Sequence, residues 1–447
     1  MRATLPFMLI TRRLFSRWLP AGGAAVNQVP GGGKREFDVR AQGAAGDGRR
    51  LDTANIQAAV DACSRQGGGT VVFPPGTYLS GTIVLKSGVT LHLDPGAVLL
   101  GSTSLADYPV HIPKLRSYTD TYTERSLIFA EGVANVAITG RGVIDGQGAA
   151  FEGPYKRRPY LVRFVECRDV AVTGVTLRNS PMWVQHYLAC EQVLIHGVTV
   201  RSRVNHNNDG IDIDASRNVR ISDCDISSGD DAIVLKSTTD RRTANVVVTN
   251  CLLSTACNAL KMGTETNAGF ENIVISNCAI RDTGLAGLTL QIVDGGTLDG
   301  VAVSNLTMRG VGAPVFIRLG DRARPFVAGG PRPGIGRLRN VTIANIEATG
   351  AGATGCAIAG LPGHPIENLT LDNIRLEFEG GVAEKPATPV PEHPEKYPEH
   401  SMFGRLPAYG LYCRHVANLR LRNLEARVVK PDVRPAVLLE DVQPPNP

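Results

Sequence analysis

The phrase VRISDCDIS at 219–227, followed by VVVTNCLLS at 246–254 and IVISNCAIR at 273–281, decides the fold. Each phrase alternates apolar and polar residues, reaches an Asp or Asn followed by Cys, and then resumes. Alternation sends every second side chain to one face of a strand, and the Asp or Asn supplies the left-handed backbone conformation that a corner needs. Cys224, Cys251 and Cys278 are spaced 27 and 27 residues apart. That regularity predicts buried side chains stacked on consecutive coils.

Working outward, the same pattern recurs as VAITGRGVI, VAVTGVTLR and VLIHGVTVR before these phrases, and as VAVSNLTMR, VTIANIEAT, LTLDNIRLE and LRLRNLEAR after them. Gly140, Gly174, Gly197, Asp223, Asn250, Asn277, Asn305, Asn345, Asn373 and Asn423 then share one equivalent corner. The intervals are 34, 23, 26, 27, 27, 28, 40, 28 and 50 residues, so most are one coil and the longest three hold insertions. Tandem units of this size predict an all-β fold, a right-handed parallel β-helix, over a propeller or sandwich. Gly320 to Gly336 is rich in Arg, Pro and Gly, and Gly380 to Pro407 is Pro-rich with His393 and His400. Each reads either as the wall of a cleft or as tolerated decoration.

Ahead of the repeats, Asp52 or Thr53 is placed to cap a helix whose apolar positions Ile56, Ala59, Val60 and Cys63 follow a helical period, and Gly67 to Gly69 end it. A helix there would cover the open end of the solenoid, where core and strand edges are otherwise exposed. Residues 1–33 differ from the rest. Thr11-Arg12-Arg13-Leu14-Phe15 followed by a short apolar stretch reads as a twin-arginine export leader, or as a basic leader without that role. Residues 34–447 are expected to form a single β-helix domain, exported and monomeric.

Net charge is +5 and comes from dispersed Arg, which bears on solubility and encounter with acidic partners. The sequence holds no nucleic-acid motif and no stretch long enough to span a membrane. The nine cysteines make no disulfide framework, and no Cys-x2-Cys pair points to zinc.

The chemistry concentrates in Val204 to Ser237, VNHNNDGIDIDASRNVRISDCDISSGDDAIVLKS. Asp209 and Asp230 are 21 residues apart, about one coil, so Asp209, Asp230 and Asp231 are expected on one face. Close carboxylates cannot all ionise freely, and one is pushed towards its protonated form. An acid beside a base is what glycosidic hydrolysis requires. Asp-Gly and Gly-Asp-Asp are also turn chemistry, and that reading stays open on these residues alone.

From Phe37 to about Leu424 the chain resembles the polygalacturonase family of glycoside hydrolases, family 28, which are pectin-lyase-like right-handed β-helices. Asn207-Asn208-Asp209 matches the family's Asn-Thr-Asp, with His206 before it, and Gly229-Asp230-Asp231 matches its Gly-Asp-Asp. Asn179-Ser180-Pro181-Met182-Trp183-Val184-Gln185-His186 is similar to a segment of exo-acting and plant-like members. The resemblance implies Asp230 as general acid, with Asp209 and Asp231 holding and deprotonating the attacking water. It implies inversion of configuration and no metal or cofactor. In inverting enzymes the carboxyl groups stand about 6.5 to 9.5 Å apart, and that separation is expected here.

Two departures bear on substrate. The family's Gly-His-Gly aligns with Cys257-Asn258-Ala259, and its Arg-Ile-Lys aligns with Thr289-Leu290-Gln291. A pectic or related polysaccharide remains the expected substrate, while polygalacturonan itself loses its main support. His206, Asn207, Lys236, Asn258, Lys261 and Glu265 are expected to contact the sugar, the lysines alternatively pairing with the acidic cluster. Arg318, with Asp321 and Arg322, reads as a loop contribution to the cleft or as surface ion pairs. Trp183 and His186 are expected at the sugar, Trp183 alternatively packing under the Pro181 turn. A polysaccharide lyase and a non-catalytic glycan-binding β-helix are the competing readings.

Overall fold

The computed structural model of the protein describes residues 35–444 apart from 385 and 387. The leader read at 1–33 lies outside the described residues. The right-handed parallel β-helix expected from the repeats is the fold. Ile221 aligns with Val248, Val248 with Ile275, Ile275 with Val303, Val303 with Ile343, Ile343 with Leu371 and Leu371 with Leu421, every step parallel. From Ile221 to Leu371 this column is buried in the core. Pairing crosses the long insertions without a change of register, so the inserted residues leave the coil and return to it.

All ten corner residues have positive φ, from 48° at Asn423 to 112° at Gly140. That conformation costs most L-residues roughly 1–2 kcal/mol, and Asn escapes much of it through local hydrogen bonding. The exposed amides also bond to one another from coil to coil: Asn305 to Asn277 at 3.0 Å, Asn345 to Asn305 at 3.0 Å and Asn373 to Asn345 at 2.8 Å. A second ladder, absent from the phrase alignment, runs through Asn218, Asn245 and Asn272, and then through Asn340, Asn368 and Asn418, with φ between 56° and 59°. Cys224, Cys251 and Cys278 are free and buried, each thiol 3.3 Å from the carbonyl two residues earlier.

The helix forms at Thr53–Arg65 and buries Ile56, Ala59, Val60 and Cys63 against the first coils. Asp52 stands at its N-cap without capping it. Its buried carboxylate accepts instead from the backbone N–H groups of Ala45, at 2.8 Å, and Gly46, at 2.9 Å, and so holds the preceding loop. Among the described residues no helix is long and apolar enough to cross a membrane.

One face of the solenoid positions the site. Strands Ile211–Asp214, Ile233–Ser237 and Leu260–Thr266 stack so that Asp212, Val234 and Lys261 share a column. Even the outward-pointing residues of these strands are buried, because inserted segments fold over them. Tyr118 N–H donates to the Thr238 carbonyl at 2.9 Å, and Gln291 Nε2 donates to the Pro398 carbonyl at 3.1 Å, tying two such segments down.

Candidate active site

The acidic residues sit where turns feed these strands. Gly210 N–H donates to the Asp231 carbonyl at 2.9 Å and Asp230 N–H to the Asn208 carbonyl at 3.4 Å, so the two motifs are rungs of adjacent coils. Gly210 is required by space: a Cβ there would lie 2.5 Å from the Ala232 carbonyl oxygen. Asn208, where the family has Thr, clamps the turn. Its Nδ2 donates to the carbonyls of Ser180 and Met182 at 2.8 and 3.1 Å, and its Oδ1 accepts from the N–H groups of Val204 and Asn205 at 3.1 and 3.0 Å.

Asp209, Asp230 and Asp231 each present one oxygen within 4.8 Å of the others. The nearest oxygens thus stand closer than the separation of about 6.5–9.5 Å expected between the carboxyl groups. Adjacent coils rise by only about 4.8 Å, and carboxylates placed at the ends of stacked strands inherit that spacing. The three line a cavity of about 230 Å³. Tyr118, Tyr122, Tyr155, Trp183 and Tyr397 also line it, with Arg324 and Glu265.

The environments of the three differ. Burial, and then the charges of Asp230 and Asp212, raise Asp209 well above the carboxylate range against the pull of Lys236. Burial and the charge of Asp231 raise Asp230 against the pull of Lys261. Burial also works to raise Asp231, but Lys261, Lys236 and the Asn258 amide outweigh it and hold Asp231 low. Lys261 Nζ is 2.7 Å from Asp231 Oδ2, and Asn258 Nδ2 donates to Oδ1 at 2.8 Å.

Lys236 is a hub. Its buried Nζ lies 3.7 Å from Asp209, 3.7 Å from Asp212 and 3.5 Å from Glu265, and 4.6 Å from the centre of the Trp183 ring. Burial works to lower Lys236, yet Glu265, Asp209 and the neighbouring acids raise it well above the ordinary lysine value. Glu265 is held at about 2, burial being outweighed by Lys236, Arg322 and Arg324. Asp212 is fully buried, and neither of its oxygens accepts a hydrogen bond.

Several expected contacts lie elsewhere. Arg318 does not reach the cavity: it is 1% exposed and donates to the carbonyls of Gly360, Glu392 and His393, pinning the 381–410 segment to the coil. His186 is sealed from the cavity, bonded to Asp214 at 3.1 Å and stacked on Tyr160, and burial drops it to about 4. His206 is exposed on a neighbouring groove with Arg203 and Glu152. Asn258 orients Asp231 and does not line the cavity. Trp183, Asn207, Lys236, Lys261 and Glu265 do line it, the lysines engaged with the acids.

Sequence reading missed Tyr118, Tyr122, Tyr155, Tyr397 and Arg324. All lie outside the repeat phrases, and Arg324 is two residues beyond the Arg322 that the sequence singled out. Arg324 donates to Glu265 Oε1 at 2.7 Å and lies 4.0 Å over the Tyr118 ring. Thr289 and Gln291, at the family's cation positions, are buried, and Gln291 serves the 381–410 segment.

The acidic trio is close enough to surround a cation. The ammonium groups of Lys236 and Lys261 already supply the countercharge there, which opposes a metal and argues against reading the trio as metal ligands.

The molecule is a solenoid of parallel coils with an acidic trio in a side cavity. The description "Glycosyl hydrolases family 28" matches residues 63–393. The chain belongs to that family. A "Probable polygalacturonase" of Vitis vinifera is 39% identical over 216 residues, 44% of this chain and 43% of that protein. An "Exo-poly-alpha-D-galacturonosidase" of Dickeya chrysanthemi is 28% identical over 250 residues, covering 44% and 41%. The matched segment thus spans less than half the length of these relatives. Among solved structures, an exopolygalacturonase from Thermotoga maritima superposes with TM-score 0.67 at 24% identity, covering 88% of this chain and 93% of that one. The family 28 exopolygalacturonase of Yersinia enterocolitica gives 0.68 at 21%, covering 92% and 78%.

Proposed function

We propose that this protein hydrolyses glycosidic bonds of a pectic polysaccharide from chain ends, with Asp230 as general acid and Asp209 and Asp231 as the water-holding pair. The observation that carries the reading is the trio within 4.8 Å, with Asp209 and Asp230 raised, Asp231 lowered, and Asp230 the one of the three that is only part-buried and open to the cavity. Two carboxyls pushed apart in acidity divide the acid and base roles. Asp230, raised, holds its proton more tightly than a free carboxyl and gives it to the leaving oxygen. Asp231 stays ionised and polarises the water. Both of its oxygens are engaged by Lys261 and Asn258. That favours holding water over covalent attack on the sugar, and so favours inversion.

Action at chain ends is supported by the size of the cavity. At about 230 Å³ it is smaller than the usual ligand pocket of roughly 300–1,000 Å³, with room for about one sugar ring between aromatic walls. Its cations, Lys236, Lys261 and Arg324, suit an acidic sugar. The exo-acting relatives point the same way. Export and a monomeric state belong to the same proposal.

A lyase would need an unprotonated base to remove a carbon-bound proton. Lys236 and Lys261 are both raised above the ordinary lysine value by their acidic partners, and Arg324 is bonded to Glu265, so none of the three is free for that role. The test is incubation of the purified protein with homogalacturonan, rhamnogalacturonan and neutral side-chain oligosaccharides, with products identified by mass and anomeric configuration. Saturated monosaccharide of inverted configuration is expected. Unsaturated product, or no release from any member, would overturn the reading.

A further inference from the structure

Arg158 directly follows the short helical turn Tyr155–Arg157. It is 4% exposed, and among the described residues no carboxylate pairs with it. A buried cation without a carboxylate partner is costly unless hydrogen bonds satisfy it. Its Nη1 donates to the His206 carbonyl at 2.5 Å and its Nη2 to Asn207 Oδ1 at 2.9 Å, and the guanidinium carbon lies 5.1 Å from the centre of the Tyr155 ring.

These contacts fix the Asn207 amide. Arginine only donates, so the amide oxygen must face it and the amide N–H groups must face away. They face Asp230: Asn207 Nδ2 lies 3.5 Å from Asp230 Oδ2. Asn207 has φ +55°, and the bond from Arg158 to His206 holds the chain on the approach to that left-handed residue. The contact to Asp230 is long, as catalytic hydrogen bonds often are before substrate binds.

We propose that Arg158 is a positioning residue for Asp230: through Asn207 it aims a donor at the carboxylate that forms as the acid releases its proton. The proposal rests on the hydrolase reading for its consequence, but its physical content does not. Asp230 is also faced by Asp209 and Asp231, by Lys261, by the Tyr155 ring and by the Cys257 thiol, and its Oδ1 accepts from the Asp231 N–H at 2.8 Å. Arg158 is the group among these neighbours that acts through the Asn207 amide and is supplied by an inserted segment.

Loss of Arg158 removes a donor that favours the ionised form of Asp230, so Asp230 must hold its proton to higher pH. The test is a carbon-13 titration of aspartate-labelled wild type, Arg158→Met and Arg158→Lys, with Asp230→Asn to assign the signal, alongside kcat and KM against pH. An upward move of the Asp230 midpoint in Arg158→Met is expected, with a smaller one in Arg158→Lys. In the rate data, kcat falls about 10- to 100-fold, as for a misplaced catalytic group, with KM changing less than about threefold. The alkaline limb moves to higher pH.

An unmoved Asp230 midpoint in a folded variant overturns the proposal, as does a rate loss without movement of the limb. Should Arg158→Met not fold, Arg158→Lys carries the same comparison. A midpoint that moves in Arg158→Met, when the wild type itself shows no hydrolytic activity, supports the positioning role and overturns the hydrolase reading alone.

Discussion

The two sides of each coil are built on opposite plans. At the Asn corner successive coils solve the same problem in the same way: φ stays between 54° and 56° from Asn277 through Asn305 and Asn345 to Asn373, and each amide bonds to the one before it. On the cavity side no two neighbouring coils agree. Asp212, Val234, Lys261, Thr289 and Phe316 follow one another in a single column. A repeated corner can be optimised once and copied. A site must break the repeat, and here it does so with buried charges whose cost is offset only by one another.

The contrast is sharpened first by Asp230→Asn. An isosteric change on the cavity side should leave the coil intact by circular dichroism while hydrolysis falls by about 10²–10⁴-fold, the range of general acid catalysis. A change on the same side that strands a charge should cost stability as well. Lys261→Met leaves Asp231 buried without its ammonium partner, which by the measure of broken buried pairs costs about 3–5 kcal/mol. Denaturant titration would read it.

The same variant moves the pH profile. Asp231 is lowered chiefly by Lys261 acting against burial, so wild-type activity should persist until pH falls through that low value. Without Lys261 the acidic limb rises, and the loss on acidification begins at higher pH. At the other limb, activity falls as pH climbs through the raised value of Asp230. The expected profile is a bell, and a profile insensitive to Lys261→Met would remove the base role from Asp231.

The corner should behave differently. Asn345→Ala puts a Cβ residue without a local acceptor at φ 54° and breaks two ladder bonds, costing about 1–2 kcal/mol with kcat unchanged. Asn345→Gly keeps the permitted conformation and should cost less. If Ala and Gly destabilise equally, the ladder and not the backbone conformation carries the corner.

The same contrast explains what the sequence disclosed. The corner was legible because periodicity repeats the signal ten times, and the acidic trio because a 21-residue step is one coil. The second Asn ladder was equally regular but lay outside the aligned phrases. The cavity walls were legible only in part: Arg324 and Tyr397 fall in the two insertions read as possible cleft walls, but the individual side chains were not singled out. Tyr118, Tyr155, Arg324 and Tyr397 stand in irregular segments, where no period says which way a side chain points. Arg318 and His186 misled for the converse reason: they sit in register beside the site, but the segments folded over the strands bury them. The carboxylate separation was set by the rise of the solenoid, a constraint general to the architecture and independent of the reaction.

The most direct measurement is release of reducing sugar from the pectic panel by wild type and by Asp230→Asn, both verified as folded. Wild type should release a monosaccharide from at least one member, and Asp230→Asn should release almost none. Equal release by the two proteins would take the chemistry away from the acidic trio and contradict the account.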